Sequence, residues 1–227
     1  MKFFIAGLIL LVGCVVAVPT DVSLVTAERA SKPKCKGTAT YKITFRYQWT
    51  RARHPDAYPS SAHFSPLVAA SHSPGYCMWK PYGFATRGVE DVAETGSTFR
   101  IDGELDEHLG RNVYDFAVDN VVTSDGSETV SVTIDVDGKR SLVSAISMIA
   151  PSPDWITGFY NIDVCDQTTG VFMKSLTGKL GAWDAGTEDG TNFSISNSAT
   201  DPTEQIEDIL QSVFGGRRLG SYRIRKL

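Results

Sequence analysis

Excess charge, cysteine, histidine and long apolar runs are all scarce in this sequence, and each shortage excludes something. Across 227 residues, 22 Lys+Arg stand against 26 Asp+Glu, a formal net charge of -4. The chain therefore lacks the basic excess with which nucleic-acid binders neutralise phosphates. Its longest apolar run, Phe3 to Val18, falls short of the roughly 20 residues of a helical membrane span. A mean hydropathy of -0.11 with 21% charged residues excludes both a disordered chain and a multispanning one. Catalytic signatures are missing as well: there is no Gly-x-Ser-x-Gly elbow, no Walker loop, no dinucleotide glycine fingerprint and no His-Glu-x-x-His pair.

The early apolar run is a targeting signal by its pattern. Lys2 precedes it, and Val15-Val16-Ala17 offers small or tolerated residues before a cleavage point, so residues 1–17 are expected to be a secretory signal peptide. Leu11-Val12-Gly13-Cys14 has the look of a lipobox, but the apolar run continues past Cys14. Residues 18–34 form a short leader, and a single domain is drawn from 35 to 227. No membrane span is expected after signal removal, and the expected location is secreted and extracellular. Export places Cys35, Cys77 and Cys165 in an oxidising compartment, where an odd number leaves one thiol over. A Cys35–Cys165 bridge would tie the start of the domain to a late strand. Cys77, within the apolar Tyr76-Cys77-Met78-Trp79, is expected to be free and buried.

Alternation at period two dominates from Thr38 to Trp49, with Tyr41, Ile43, Phe45, Tyr47 and Trp49 sharing one face. Further strands are expected over 113–122, 129–136, 142–149, 158–164 and 222–227, with Asp137-Gly138 read as a hairpin turn. Helices are expected only at Gly88 to Glu94, ended by Gly96, and from an Asp201 cap with Pro202 at the first helical position. In the second, Ile206, Ile209, Leu210 and Val213 make an apolar stripe that Gly215-Gly216 stop. Many short strands with one or two short helices predict an all-β antiparallel sandwich.

Four features carry chemistry. His54, His63 and His72 stand nine apart, which invites a zinc reading, although a period of two would not bring all three together and hydrogen-bonding histidines fit better. Asp154, in Ser152-Pro153-Asp154-Trp155, and the loop Asp184-Ala185-Gly186-Thr187-Glu188-Asp189-Gly190 concentrate carboxylates in turns. Such loops can offer calcium both carboxylates and free carbonyls, or can be solvated acidic turns. Asn192-Phe193-Ser194 is a glycosylation acceptor. Arg217, Arg218, Arg223, Arg225 and Lys226 crowd the last residues, either as an edge strand guarded by charge or as a contact for a sulfated glycan.

Cys35-Lys36-Gly37-Thr38-Ala39-Thr40-Tyr41, Ala62-His63-Phe64-Ser65-Pro66-Leu67, Ala70-Ser71-His72-Ser73, Met148-Ile149-Ala150-Pro151-Ser152-Pro153-Asp154-Trp155 and Trp183-Asp184-Ala185-Gly186-Thr187 together resemble the spondin domain family, whose members include F-spondin and mindin-like proteins. The resemblance runs over residues 35–227 and implies a chain consisting of a single spondin domain with a C2-like β-sandwich. It also implies a non-enzymatic, secreted calcium-binding protein of the extracellular matrix and cell adhesion. The partners it implies are matrix or cell-surface proteins and glycans, with microbial glycans a further possibility for some members. Calcium ligands carry over onto Asp154 and Asp184. A further family carboxylate falls on Glu188, with Asp189 beside it as the alternative, and one found in mindin-like members falls on Asp135. The family disulfide falls on Cys35 and Cys165. A reading from another class, a secreted hydrolase, would need a pocket joining one of the histidines to the acidic loop.

Overall fold

The computed structural model describes residues 34–194 and 198–227. The expected signal peptide, Cys14 and all but the last residue of the leader lie outside the described residues. In chain order the elements are β1 (Thr38–Tyr47), β2 (His63–Phe64), β3 (Val68–His72), α1 (Arg87–Thr95), α2 (Phe99–His108), β4 (Val113–Val118), β5 (Thr129–Asp137), β6 (Leu142–Ala150) and β7 (Trp155–Asp163). They continue with β8 (Cys165–Asp166), β9 (Val171–Phe172), β10 (Ser175–Leu180), β11 (Trp183–Asp184), β12 (Glu207–Asp208), α3 (Leu210–Phe214) and β13 (Gly220–Lys226). One antiparallel sheet runs β10-β13-β1-β5 and a larger one runs β12-β11-β7-β6-β3-β4, with β2 added on β6. The fold is an all-β sandwich carrying three short helices.

Apolar alternation decides the packing. Tyr41, Ile43, Phe45, Tyr47 and Trp49 are buried as the period of two requires, and they meet Val143, Ala145, Ile149, Trp155 and Phe159 of the larger sheet. The opposite face of the larger sheet is covered in turn. Val68, Ala70, Ile146 and Ile156 pack there against Val89, Val92 and Ala93 of α1 and Ile101 and Leu105 of α2. β6 is thus buried on both faces, which explains its nearly unbroken apolar sequence. Helix α1 starts on Thr86, whose hydroxyl accepts from the Val89 N–H, and ends at Gly96 as expected.

Four expectations need correction. No helix starts at Asp201: only Leu210–Phe214 is helical, with Gly215 as its C-cap. The stripe assigned to one helix face serves two cores, because Ile206 joins the cluster beneath α1 while Ile209, Leu210, Val213 and Phe214 join the inter-sheet core. Asp137-Gly138 does not close a hairpin, since β5 pairs with β1 and β6 lies in the other sheet. The Asp137 carboxylate accepts the Lys139 and Arg140 N–H groups and turns the chain across the sandwich. Cys77 is exposed, because the chain bends so that only the following Met78 and Trp79 face inward. β13, finally, is an inner strand between β10 and β1.

Gly158 on β7 has φ +155° and lies opposite Ile146. A Cβ there would stand 2.1 Å from the Ala145 carbonyl oxygen. Because that obstacle is backbone inside a two-sided sheet, Gly158→Ala is expected to destabilise the fold by about 2 to 3 kcal/mol. Denaturant unfolding checks this, and an unchanged midpoint would contradict it.

Candidate metal centre

The turn after β6 and the loop after β11 meet at one end of the larger sheet. Asp184 pairs with Trp155 across the β7–β11 ladder, so Asp154 and Asp184 reach the same rim from adjacent strands. The Ser152 hydroxyl accepts the Trp155 N–H at 3.0 Å and holds the turn that carries Asp154. Gly186, at φ +72°, makes the sharp turn that only glycine takes easily. A Cβ there would lie 2.4 Å from the Glu204 carbonyl. Its N–H donates to Asp184 Oδ1 at 2.9 Å, and Trp155 Nε1 donates to Asp184 Oδ2 at 3.2 Å.

Asp154 is fully buried. Its Oδ2 accepts from the Thr187 N–H at 2.8 Å and the Glu188 N–H at 3.1 Å, so the acidic loop is strung on this one oxygen. Its Oδ1 is buried without a hydrogen-bond partner. Glu188 is also buried, whereas Asp189 is exposed and accepts from the Thr200 hydroxyl at 2.8 Å. Of the two neighbours, Glu188 is therefore the one on the Asp154 side. Glu94, in the last turn of α1, is near enough for its charge to act on Asp154 and Glu188.

Electrostatics record the crowding. Burial, then the charge of Asp154, pushes the Asp184 carboxyl up to about 6. Burial first and Glu94 next hold Glu188 above its ordinary range, and Asp154 is raised chiefly by burial with Glu94 adding to it. Glu94 is raised by burial and by Glu90 and Asp91. None of these four carboxylates is ion-paired among the described residues: the pairs are Arg87–Glu90, Arg100–Asp91 and Arg140–Asp137.

Asp135 is not part of this group. It lies on β5, where its carboxylate accepts from the Thr40 hydroxyl and its carbonyl accepts from Ser71. Ser71 is level with Val143, near the start of β6, while Asp154 follows the far end at Ala150. Seven strand residues at about 3.3 Å each separate those levels, roughly 20 Å. Counting residues back from Asp154 missed this because the count crosses a whole strand.

Glu94 is absent from the sequence expectations. Its local signal is a carboxylate in the last helical turn, where the macrodipole disfavours it and no basic residue offsets it. The histidines stay apart from the carboxylates. His54 Nε2 contacts the Arg217 carbonyl, His63 Nδ1 the Ser61 carbonyl, and His72 Nε2 the Ser144 hydroxyl. A cavity of about 460 Å³ opens beside Asp184, lined by Asp56, Trp155, Asn192 and Phe193 among others, with no histidine in its wall. Asn192 is exposed there, while Phe193 packs between Trp49, Trp155 and Phe214.

The bridge joins Cys35 to Cys165, with Cα atoms 5.8 Å apart. Among the described residues no helix is long and apolar enough to cross a membrane. The family model described as Spondin_N matches residues 39–222. Spondin-1 of Rattus norvegicus is 33% identical over 178 residues, which cover 76% of this chain and 22% of that protein. Spondin-2 of Homo sapiens is 33% identical over 183 residues, 78% of this chain and 54% of that protein. The chain thus spans between about a fifth and about half the length of these curated relatives. With most of its length matched in this way and the Cys35–Cys165 bridge closed, the chain belongs to the Spondin_N family.

Proposed function

We propose that this chain is a secreted, non-enzymatic spondin protein of the extracellular matrix that binds calcium at the Asp154 rim and adheres to matrix or cell-surface proteins and glycans. The observation that carries the calcium reading is the buried Asp154 Oδ1 with no partner, in a field that the charges of Glu94, Asp184 and Glu188 make negative. An uncompensated carboxylate cluster is costly, and a hard divalent cation with oxygen ligands offsets that cost. Among the described residues no three His, Cys, Asp or Glu side chains are placed so that they could hold a metal ion by themselves, so carbonyls and water would have to complete a calcium shell of six to eight oxygens. Asp154 and Asp184 would hold the ion, with Glu188 and Glu94 adding negative charge from either side. Bound there, the ion would fix the turn after β6 and the loop after β11 as one rigid edge.

Extracellular placement is supported by the disulfide, which persists in oxidising compartments, and by the exposure of Asn192. No observation favours the hydrolase reading, since none of the three histidines joins the carboxylates. Isothermal titration of calcium into the wild type is expected to give a saturable heat that Asp154→Ala/Asp184→Ala abolishes. Equal heats from the two proteins would end the calcium reading.

A further inference from the structure

The outward face of the smaller sheet concentrates positive charge that the acidic chain as a whole does not predict. Lys42 and Arg46 point outward from β1, Lys179 from β10, and Arg223 and Arg225 from β13. Register places them in rows: Arg225 is level with Lys42, Arg223 with Thr44 and Thr177, and Arg46 with Ser221 and Lys179 across β13. With strands about 4.8 Å apart and same-face residues about 7 Å apart along each strand, five cations fit within one small rectangle. None of the five is ion-paired among the described residues. The acidic residues on the face, Asp135 and Asp137, lie at one corner on β5 and are engaged by Thr40 and Arg140.

This arrangement breaks a local rule. Lys42 and Arg225 are direct cross-strand neighbours, a like-charge placement that weakens a sheet. Protection of an edge does not explain it, since β13 has a strand on either side. Between the cations lie hydroxyls of Thr44, Thr129, Thr177 and Ser221, and together they line a shallow groove of about 870 Å³. A planar guanidinium fork and hydroxyl donors suit sulfate and carboxylate oxygens.

We propose that this face binds a sulfated polysaccharide. A nucleic acid fits less well, because apart from the half-buried Tyr222 the face offers no aromatic side chain for base stacking. A bilayer fits less well too, because no large hydrophobic residue is exposed among the groove residues. The inference rests on the extracellular adhesion reading but not on the calcium rim, which is built from other strands. A protein that binds calcium and ignores heparin loses this inference alone, and the reverse result removes the calcium reading alone.

A size-defined heparin fragment, titrated at several salt concentrations, tests it. Arg223→Ser/Arg225→Ser is expected to bind at least tenfold more weakly at physiological salt, with the slope of log K against log salt reduced by about 1 to 2. Arg217→Ser/Arg218→Ser removes the same charge from exposed positions off the face and is expected to stay within twofold of the wild type. Protection of Lys42 and Lys179 from acylation by bound heparin reads the face in the wild type, whatever the variants do to folding. Equal losses from both arginine pairs, unprotected lysines, or tighter binding to phosphatidylserine vesicles than to heparin would overturn the proposal.

Discussion

Cys35→Ala/Cys165→Ala is expected to lose about 5 kcal/mol of stability, the largest effect of any change away from the Asp154 rim. The bridge spans 130 residues, and the chain-entropy relation for a loop of that size gives about 5 kcal/mol at room temperature. Position matters as well as length. Cys35 precedes β1 of the smaller sheet, and Cys165 follows β7 of the larger one, so the bridge staples the two layers beside the crossing at Asp137. Both half-cystines are buried, and the Cys35 N–H donates to Cys165 Sγ at 3.0 Å, so alanine also leaves packing and a hydrogen bond behind. For a domain near 190 residues the loss corresponds to a thermal midpoint lower by roughly 10 to 20 °C. Denaturant titration of the variant against wild type measures it. A loss under 1 kcal/mol would mean that the reduced unfolded chain is already held compact.

Elements readable along the chain are those with one partner face. β1 alternates cleanly because one side meets the core and the other meets solvent. β3 has no alternation, since its five residues are buried on both sides, and it escaped the pattern reading altogether. Helix α2 was missed for a different reason. It carries only Ile101 and Leu105 into the core and has Gly103 between them, so its amphipathic stripe is two residues wide. The stretch from Asp201 misled in the opposite sense. Its apolar spacing was helical, but Ile206 and Leu210 face different cores, a division that only tertiary structure makes. The same distinction governs the rim. Asp154 and Asp184 sit in contiguous motifs that the family resemblance picks out, whereas Glu94 arrives from a helix about 60 residues earlier, and a residue count back to Asp135 takes no account of the chain's crossing of the sandwich.

The rim makes a second strong prediction, in which one substitution has opposite effects with and without metal. Asp154→Asn keeps an oxygen to accept the Thr187 and Glu188 N–H groups and removes the buried charge behind the orphaned Oδ1. In the metal-free protein this variant is expected to be more stable than wild type by about 1 kcal/mol, because like charges no longer crowd a desolvated site. With calcium at a hundred times its dissociation constant, the wild type gains about 2.7 kcal/mol and the variant gains nothing, so their order reverses. Asp184 supplies the matching pH dependence. Its folded carboxyl titrates at about 6 against an ordinary 3.8, so between those values the metal-free fold binds a proton that the unfolded chain does not. Metal-free stability therefore rises as pH falls from about 7 to 4. The full shift corresponds to about 3 kcal/mol, reduced to about 1 to 2 by solvent screening of a carboxyl that is not fully buried. Calcium must displace that proton, so its affinity falls over the same interval and the two effects oppose each other. Unfolding midpoints of wild type and Asp154→Asn, with chelator and with calcium, at pH 7 and pH 5, measure every term. If the variant is the less stable protein with chelator present, or if calcium protects both alike, then Asp154 is a structural carboxylate that holds the acidic loop through Oδ2 and the ion belongs elsewhere.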